Sequence, residues 1–317
     1  MPSPSEISER IAYESERRAR LSVPAAAGGV LFLLSAIIVH AVISGLPAVG
    51  LLQALEPTLH GTANPALSAR AAEVTFLSHH ALGSIAGSVL AAIAAVMLTV
   101  VLLFLLSATR FRRAETPRAA GPLVIAGGGG LVVFGVASQV NRAIRAHDFT
   151  TGHDFSEHAV EHALTTGTAN LLIGYLGLLA PLLLALGLIM VLLSATRVGL
   201  ITRWLRGLGI AMAIVILPLF AGIFYLQLVS AAWLVSMSFL FAGRLTGGDP
   251  PAWAAGEARP WPSQAETRAA NQAGQGEVLA GAGVDVGPAP ARPDSGDSSR
   301  KRRRKRGARS GEGLRPE

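Results

Sequence analysis

Long stretches without Asp, Glu, Lys or Arg recur along the first three quarters of the chain. A membrane-spanning helix needs about 20 apolar residues, because a rise of ~1.5 Å per residue must cover a hydrocarbon core of ~30 Å. Four stretches meet this requirement, at 24–45, 81–106, 122–139 and 169–194. The pattern therefore predicts four transmembrane helices in this part of the chain.

A fifth uncharged stretch, residues 207–243, is far too long to cross a membrane once. Pro218 and Gly222 lie near its middle, where a tight turn would divide it into two spans. These two predicted spans are 206–221 and 223–242. The whole pattern predicts an all-α fold, a polytopic membrane helix bundle with six transmembrane helices within residues 23–243.

The arginines are concentrated in alternate loops. They precede the first predicted span, follow the second and follow the fourth, as Arg10, Arg17, Arg18, Arg20, Arg110, Arg112, Arg113, Arg118, Arg197, Arg203 and Arg206. The other loops contain only Arg70, Arg142 and Arg145. By the positive-inside rule the arginine-rich side is cytoplasmic. The pattern thus predicts a multi-pass protein of the inner (plasma) membrane whose N- and C-termini are both cytoplasmic.

Polar segments flank the predicted bundle. In residues 1–22, Ser3, Pro4 and Glu6 match the N-cap, N1 and N3 positions of a capping box, which predicts a cytoplasmic N-terminal helix. Residues 244–317 are rich in Pro, Gly and charge and have almost nothing to bury. They are predicted to form a disordered cytoplasmic tail.

A run of consecutive basic residues lies near the end of this tail. It consists of Arg300, Lys301, Arg302, Arg303, Arg304, Lys305 and Arg306. Such a run attracts anionic lipid headgroups by about 1 kcal/mol per charge near the surface. Nucleic acid is the less favoured partner, because no aromatic residues interleave the run for base stacking. A protein partner is left open.

A five-residue motif occurs twice. Leu106–Arg110 and Leu193–Arg197 both read Leu-Ser-Ala-Thr-Arg, and each closes a predicted span on the arginine-rich side. Two hairpins of the same orientation would form a parallel duplication. Convergence is the alternative, since small residues followed by an arginine suit any helix that leaves the membrane inward.

The composition excludes an ordinary soluble enzyme. Hydrophobic residues make up 51% and charged residues 15% of the chain, whereas soluble domains carry about 25% charge. The absence of cysteine excludes disulfides, thiolate metal sites and a cysteine nucleophile. No nucleophile and base stand at a convincing spacing, so an enzyme is the least favoured class.

Histidines collect at the predicted outer ends of the spans and in the outer loops. The densest part runs from His147 to His162, where histidines alternate with carboxylates. Asp154 and Glu157 match a capping box, which predicts that the fourth span extends outward as a helix from about residue 155.

Imidazole and carboxylate groups one helical turn apart suit Zn²⁺ or a similar divalent metal ion. The candidate metal ligands are His79, His80, His153, His158, Glu161 and His162. Three alternatives stay open. The cluster could titrate near a pKa of ~6.5 and respond to external pH, two histidines could hold a haem, or the polar residues could simply mark where membrane helices meet water.

Small residues interrupt the predicted spans at Gly127–Gly130 and Pro181. They suit either the broken helices of a transporter or close helix packing. We favour packing, as for the GxxxG pair Gly83 and Gly87.

The segment 197–207 carries its apolar side chains at helical spacing, with arginines between them. The apolar residues are Val198, Ile201, Trp204 and Leu205. This pattern predicts a short helix at the level of the lipid headgroups, with Trp204 as its interfacial anchor.

Three segments together resemble a group of multi-span membrane proteins of high-GC Gram-positive bacteria. They are Ala108–Glu115, Arg197–Arg203 and the Pro-Trp-rich stretch Pro250–Ser263, and the resemblance extends from about Val101 to Ser263. It implies an integral membrane protein with a cytoplasmic C-terminus and carries no assigned activity. The group tends to have a proline where this chain has Ala114. We expect the stretch around Trp253 and Trp261 to pack against the cytoplasmic ends of the bundle.

The favoured hypothesis is an integral membrane protein with a structural or interaction role. One alternative is an extracytoplasmic metal- or pH-sensing module that uses the outer His/Glu cluster. The other is a small transporter of a neutral or apolar solute, because the predicted spans contain none of the charged groups that ion-coupled transporters bury.

Overall fold

The computed structural model describes residues 4–47, 68, 70–113, 115–152, 154–216, 223–245 and 248–261. The secondary structure of these residues is entirely helical. The helices in chain order are α1 (Pro4–Ser44), α2 (Ala71–His79), α3 (Ala81–Arg112), α4 (Ala120–Gly152), α5 (Glu157–Leu164), α6 (Thr168–Val198), α7 (Arg203–Ile216), α8 (Ile223–Phe241) and α9 (Pro251–Ala255). The predicted all-α class is therefore confirmed for the described part of the chain.

Four helices are long and apolar enough to cross a membrane, namely α1, α3, α4 and α6. The shortest of the four, α6, has 31 residues. At ~1.5 Å per residue that length exceeds the ~30 Å hydrocarbon core. These four helices contain the first four predicted spans, and they fit a membrane-embedded protein.

The helices α7 and α8 form an antiparallel pair. Near the start of α7, the Leu205 carbonyl accepts a hydrogen bond from the indole N–H of Trp233 on α8, at 3.3 Å. At the other end, Ile216 and Leu226 line the same cavity. The apolar part of α8, Leu226–Phe241, is shorter than the four long helices. The predicted turn at 218–222 lies outside the described residues, so the fifth and sixth spans stay predictions.

Six helices pack around a ring in the order α1, α3, α4, α6, α7 and α8, and the ring closes where α8 contacts α1. Helices α3 and α6 also contact each other across the ring. Fully buried leucines of both helices, including Leu102 and Leu188, belong to one core cluster. The end of the ring that holds Arg18 and Arg112 is termed the arginine end, and the opposite end, which holds His80 and His162, the histidine end.

Glycines allow the close approach of neighbouring helices. A Cβ atom added to Gly127 would overlap the backbone of Leu184 on α6, and one added to Gly128 would overlap Thr99 on α3. On α3, a Cβ added to Gly87 would stand 3.0 Å from Val39 of α1. Helix α4 continues unbroken through Gly127–Gly130. The packing interpretation of these small residues is confirmed.

The predicted N-terminal helix and the first span form one continuous helix. Helix α1 includes Pro24 in its interior and ends at Ser44. Its predicted N-cap, Ser3, lies outside the described residues.

The predicted outward extension of the fourth span from residue 155 is wrong. Two helices occupy this region, because α5 ends at Leu164 and α6 begins at Thr168. Gly167 between them has a φ of +103°, which a helix cannot accommodate. The N-cap is Ser156 instead of Asp154, since the Ser156 hydroxyl accepts the N–H of Ala159 at 3.3 Å.

The predicted interfacial helix over 197–207 is also wrong. Helix α6 ends at Val198, and Gly199 terminates it in the left-handed conformation with a φ of +88°. Ile201 and Leu205 are fully buried in the core instead of facing lipid headgroups. Trp204 is the exposed member of the set, with 68% of its surface accessible.

The two copies of the repeated motif have the same local structure. Thr109 donates its hydroxyl to the Leu105 carbonyl and Thr196 to the Leu192 carbonyl, both at 2.7 Å. Each copy closes a long helix at its C-terminal end. Because any helix end with this sequence would form the same bond, duplication and convergence both stay open.

Candidate functional site

The chain that follows α8 is bound to the arginine end of the ring. The indole N–H of Trp253 donates to the Leu200 carbonyl at 2.9 Å, and that of Trp261 donates to the Ile201 carbonyl at 3.1 Å. Between them the backbone N–H of Arg259 donates to the Val198 carbonyl at 3.0 Å. Residues 250–261, termed the tryptophan segment, therefore dock on the turn between α6 and α7. The predicted packing of this segment against the helix ends is confirmed. The predicted disordered tail of 244–317 therefore starts too early, because residues 250–261 include helix α9 and are bonded to the bundle.

Trp253 is the centre of an aromatic and cationic cluster. Its side chain is buried, and its ring lies parallel to that of Phe104 with the centroids 5.9 Å apart. The guanidinium carbons of Arg18 and Arg112 lie 5.2 Å and 5.3 Å from the Trp253 centroid. Cation–π contacts of this kind contribute ~0.5–2 kcal/mol each, and more when they are removed from water.

Arg112 and Glu14 form a buried ion pair beside this cluster. Arg112 Nη1 lies 2.7 Å from Glu14 Oε2, and their side chains are 0% and 3% exposed. The contact is electrostatic, because Glu14 Oε2 has no hydrogen-bond partner among the described residues. Arg112 also donates through Nε to the Ala252 carbonyl of α9 at 3.1 Å. One side chain thus holds α3, α1 and the tryptophan segment together.

Arg18 performs a similar role and also contacts Trp253. It donates through Nε to the Leu240 carbonyl at the C-terminal end of α8, at 3.1 Å. Its Nη2 forms an ion pair with Asp249 in the chain leading to α9. The positive charge complements the partial negative charge of the α8 terminus.

The sequence places Arg18 and Arg112 only among the arginines that flank the predicted spans, and it does not single out Glu14. The spacing of Arg10, Glu14 and Arg18, four residues apart on one face of α1, is the signal that could have identified a charged contact face. Burial of these groups depends on α8 and α9, which no local pattern on α1 reveals.

The predicted metal ligands lie at the histidine end. His79 and His80 are exposed at the junction of α2 and α3, and His158, Glu161 and His162 are exposed on α5. The His80 ring stacks on Phe76 at 3.9 Å between centroids, and its Nδ1 lies 2.9 Å from the Phe76 carbonyl. His153 lies outside the described residues.

An open cleft of about 540 Å³ separates the end of α4 from α5. Its lining includes Arg145, Asp148, Asp154, His158 and His162. Arg145 bridges the two sides, because its Nη1 donates to the His162 carbonyl at 2.9 Å. The cleft brings carboxylates and imidazoles to one side of the protein, together with a guanidinium that repels cations.

Asp154 is held in its charged form in this cleft. The backbone N–H of Ser156 donates to Asp154 Oδ1 at 3.0 Å. That bond, then the Ser156 hydroxyl and the nearby His158, lower the pKa of Asp154 below its ordinary value of 3.8. The carboxylate therefore stays ionised throughout the range in which a histidine titrates.

Among the described residues, no three His, Asp or Glu side chains lie close enough together to hold a metal ion. Since His153 is not among them, the metal site stays a prediction. The basic run 300–306 also lies outside the described part of the chain.

Comparison with known proteins found no match to a family model, to a curated protein or to a solved structure.

Proposed function

We propose that this protein is a six-span plasma-membrane protein with both termini in the cytoplasm, and that it anchors its C-terminal basic tail at the inner membrane surface. The observation that carries this proposal is the docking of Trp253 and Trp261 on the turn that follows α6. The tryptophan segment is bonded to the bundle, so the described part of the chain ends at Trp261 against the arginine end.

The distribution of charge supports the orientation. Arg18 and Arg112 bind at the same end of the ring as the turn after α6, which is followed by Arg203 and Arg206. An end rich in arginine is cytoplasmic by the positive-inside rule. The antiparallel pair α7 and α8 supplies the last two crossings and returns the chain to the same side.

The role of the tail follows from its composition. Seven consecutive basic residues at 300–306 suit the anionic headgroups of the cytoplasmic leaflet, and each contributes about 1 kcal/mol near the surface. Attachment to the bundle also raises the effective concentration of the basic residues at the membrane, because an anchored tail does not have to reach the lipid by diffusion.

Cysteine labelling tests the orientation, because the chain has no cysteine of its own. In the variant Ser299→Cys, a membrane-impermeant maleimide should react only after the cells are lysed. The matched control Gly152→Cys, at an exposed position with open space around it, should react in intact cells. Labelling of Ser299→Cys in intact cells would overturn the proposal.

Lipid binding by the tail has its own test. An environment-sensitive dye on Ser299→Cys should change its emission in phosphatidylglycerol nanodiscs but not in phosphatidylcholine nanodiscs. High salt, or replacement of the basic residues 300–306 by glutamine, should abolish the change because the attraction is electrostatic. An equal signal in both lipids would show that anionic headgroups are not the partner.

A second candidate function is a response to external protons or metal ions. The cleft that brings His158 and His162 together with Asp148 and Asp154 favours it. Elemental analysis of the purified protein and of the double variant His158→Ala and His162→Ala tests whether these histidines bind a metal ion. Equal metal content and equal pH dependence in both proteins would exclude this candidate.

A further inference from the structure

A second cavity lies inside the ring. It has a volume of about 170 Å³, and all six helices of the ring contribute to its lining. Most of its wall is apolar, and includes Phe32 of α1, Leu98 of α3, Leu131 of α4 and Leu184 of α6. An apolar cavity of about 150 Å³ in a protein interior is large enough to hold benzene.

One polar atom in the wall lacks a partner among the described residues. Gln227 on α8 is 4% exposed, and its Oε1 has no hydrogen-bond partner within the described part of the chain. Its Nε2 donates to Ser35 Oγ at 3.0 Å, and Ser35 donates in turn to the Gly87 carbonyl at 2.7 Å. Because Ser35 uses its single proton on Gly87, it can only accept from Gln227. This chain of bonds determines the orientation of the Gln227 amide and leaves Oε1 as a free acceptor.

The cavity has a polar end and an apolar end. The bonds through Ser35 place Gln227 at the level of Gly87, next to the lining residue Ser88. Leu98 lines the cavity further along α3, about 15 Å from Ser88 at ~1.5 Å per residue. Arg142 is the charged residue in the lining, and its side chain is exposed. The buried part of the cavity is therefore lined by uncharged residues.

We propose that this cavity is a binding site for a small neutral amphiphile that carries one hydroxyl group on an apolar body. The hydroxyl donates to Gln227 Oε1, and the body lies against Phe32, Leu98 and Leu184. The volume suits a molecule of the size of phenol or a short-chain alcohol. This site is distinct from the tryptophan segment, and it does not depend on the tail.

The probes are 4-fluorophenol and fluorobenzene, observed by fluorine NMR with the full-length protein in lipid nanodiscs. We expect saturable binding of both probes, with fluorophenol about fivefold tighter because it alone donates a hydrogen bond. In Gln227→Leu this preference should disappear, while fluorobenzene should still bind. Empty nanodiscs report the partition of each probe into lipid.

Two glycines on α4 give a matched pair of variants. Gly135 lines the cavity, and a Cβ added there meets nothing within 4 Å. The leucine side chain of Gly135→Leu should therefore fill the cavity, and its Cβ atom causes no steric clash. Gly129 has the same open surroundings but is exposed and does not line the cavity, so Gly129→Leu is the control. Saturable binding should be lost in Gly135→Leu and retained in Gly129→Leu.

Three outcomes would overturn the inference. The first is that fluorophenol binds Gly135→Leu with the same affinity as the unchanged protein. The second is that neither probe shows saturable binding above the empty nanodiscs, which would leave water as the partner of Gln227. The third is that 4-fluorobenzoate binds more tightly than 4-fluorophenol, which would show that Arg142 selects an acid instead of an alcohol.

Discussion

Arg112 and Glu14 join the C-terminal end of α3 to the N-terminal part of α1 through a buried ion pair of 2.7 Å. Removal of one partner from such a pair leaves an uncompensated buried charge. The same guanidinium contacts Trp253 and the Ala252 carbonyl, so the ion pair and the docked tryptophan segment depend on one side chain.

We therefore expect Arg112→Leu to destabilise the protein by about 3 kcal/mol, because Glu14 stays buried with only its 3.3 Å contact to Arg10. Unfolding in mixed detergent micelles, followed by circular dichroism, measures the loss. The control is Arg110→Leu on the same helix end, where the side chain is exposed and the effect should be within about 0.5 kcal/mol. Equal stability of the two variants would show that the ion pair contributes nothing.

Truncation of Trp253 should release the tryptophan segment. Trp253→Ala removes a buried ring and its bond to Leu200, at a cost of about 3–5 kcal/mol. The nearby Glu257, which is exposed and followed by Ala258, should then be cut faster by a glutamate-specific protease, as mass spectrometry of a digestion time course would show. Trp204→Ala serves as control, because this side chain is 68% exposed and bears no such contact with the segment. An unchanged cleavage rate at Glu257 in Trp253→Ala would contradict the docking.

Substitutions at two neighbouring glycines of α4 should have opposite effects. Gly127→Ala would force the added Cβ into the Leu184 backbone and separate α4 from α6. Gly129→Ala meets nothing within 4 Å and should stabilise the helix by about 0.5–1 kcal/mol. Thermal unfolding of the purified variants measures both changes. A melting temperature raised by Gly127→Ala would mean that the helices are not in close contact there.

The N-terminus of α5 should lose stability in acid. The hydrogen bonds from Ser156 favour the charged form of Asp154 and hold its pKa below 3.8 in the folded state. Its contribution is therefore complete above the unfolded value of 3.8 and is lost as the pH falls through the lower, folded pKa. Carboxyl carbon NMR of labelled aspartate measures the titration.

The variant Ser156→Ala isolates the cause. It removes the N-cap of α5, at a cost of about 1 kcal/mol to that helix. It also removes the hydrogen bond from the serine hydroxyl to Asp154, so the pKa of Asp154 should rise. An Asp154 titration unchanged by this substitution would show that the Ser156 hydroxyl has no part in the shift.

The sequence by itself determined the helical class and the positions of the four long helices. Apolar runs of this length must be helical in a membrane, since a spanning segment has to satisfy its own backbone hydrogen bonds. The packing role of Gly87, Gly127, Gly128 and Gly130 was predictable for a related reason, because small residues are what allow helices to approach in lipid. The contact of Trp253 and Trp261 with the helix ends was also predicted from their position after the last apolar run.

The tertiary structure alone decided which polar groups are buried and where the helices end. Glu14 and Arg112 are distant in sequence, so their pairing depends on how α1 and α3 pack, and no periodicity encodes it. Gln227 Oε1 likewise has no partner among the described residues because Ser35 already donates its proton to Gly87 on a third helix. Gly167 ends the predicted extension of the fourth span, since a capping pattern marks where a helix begins but not how far it continues. The local sequence pattern thus determines which segments form helices. The contacts between helices that are distant in sequence determine which of their polar groups are buried and paired.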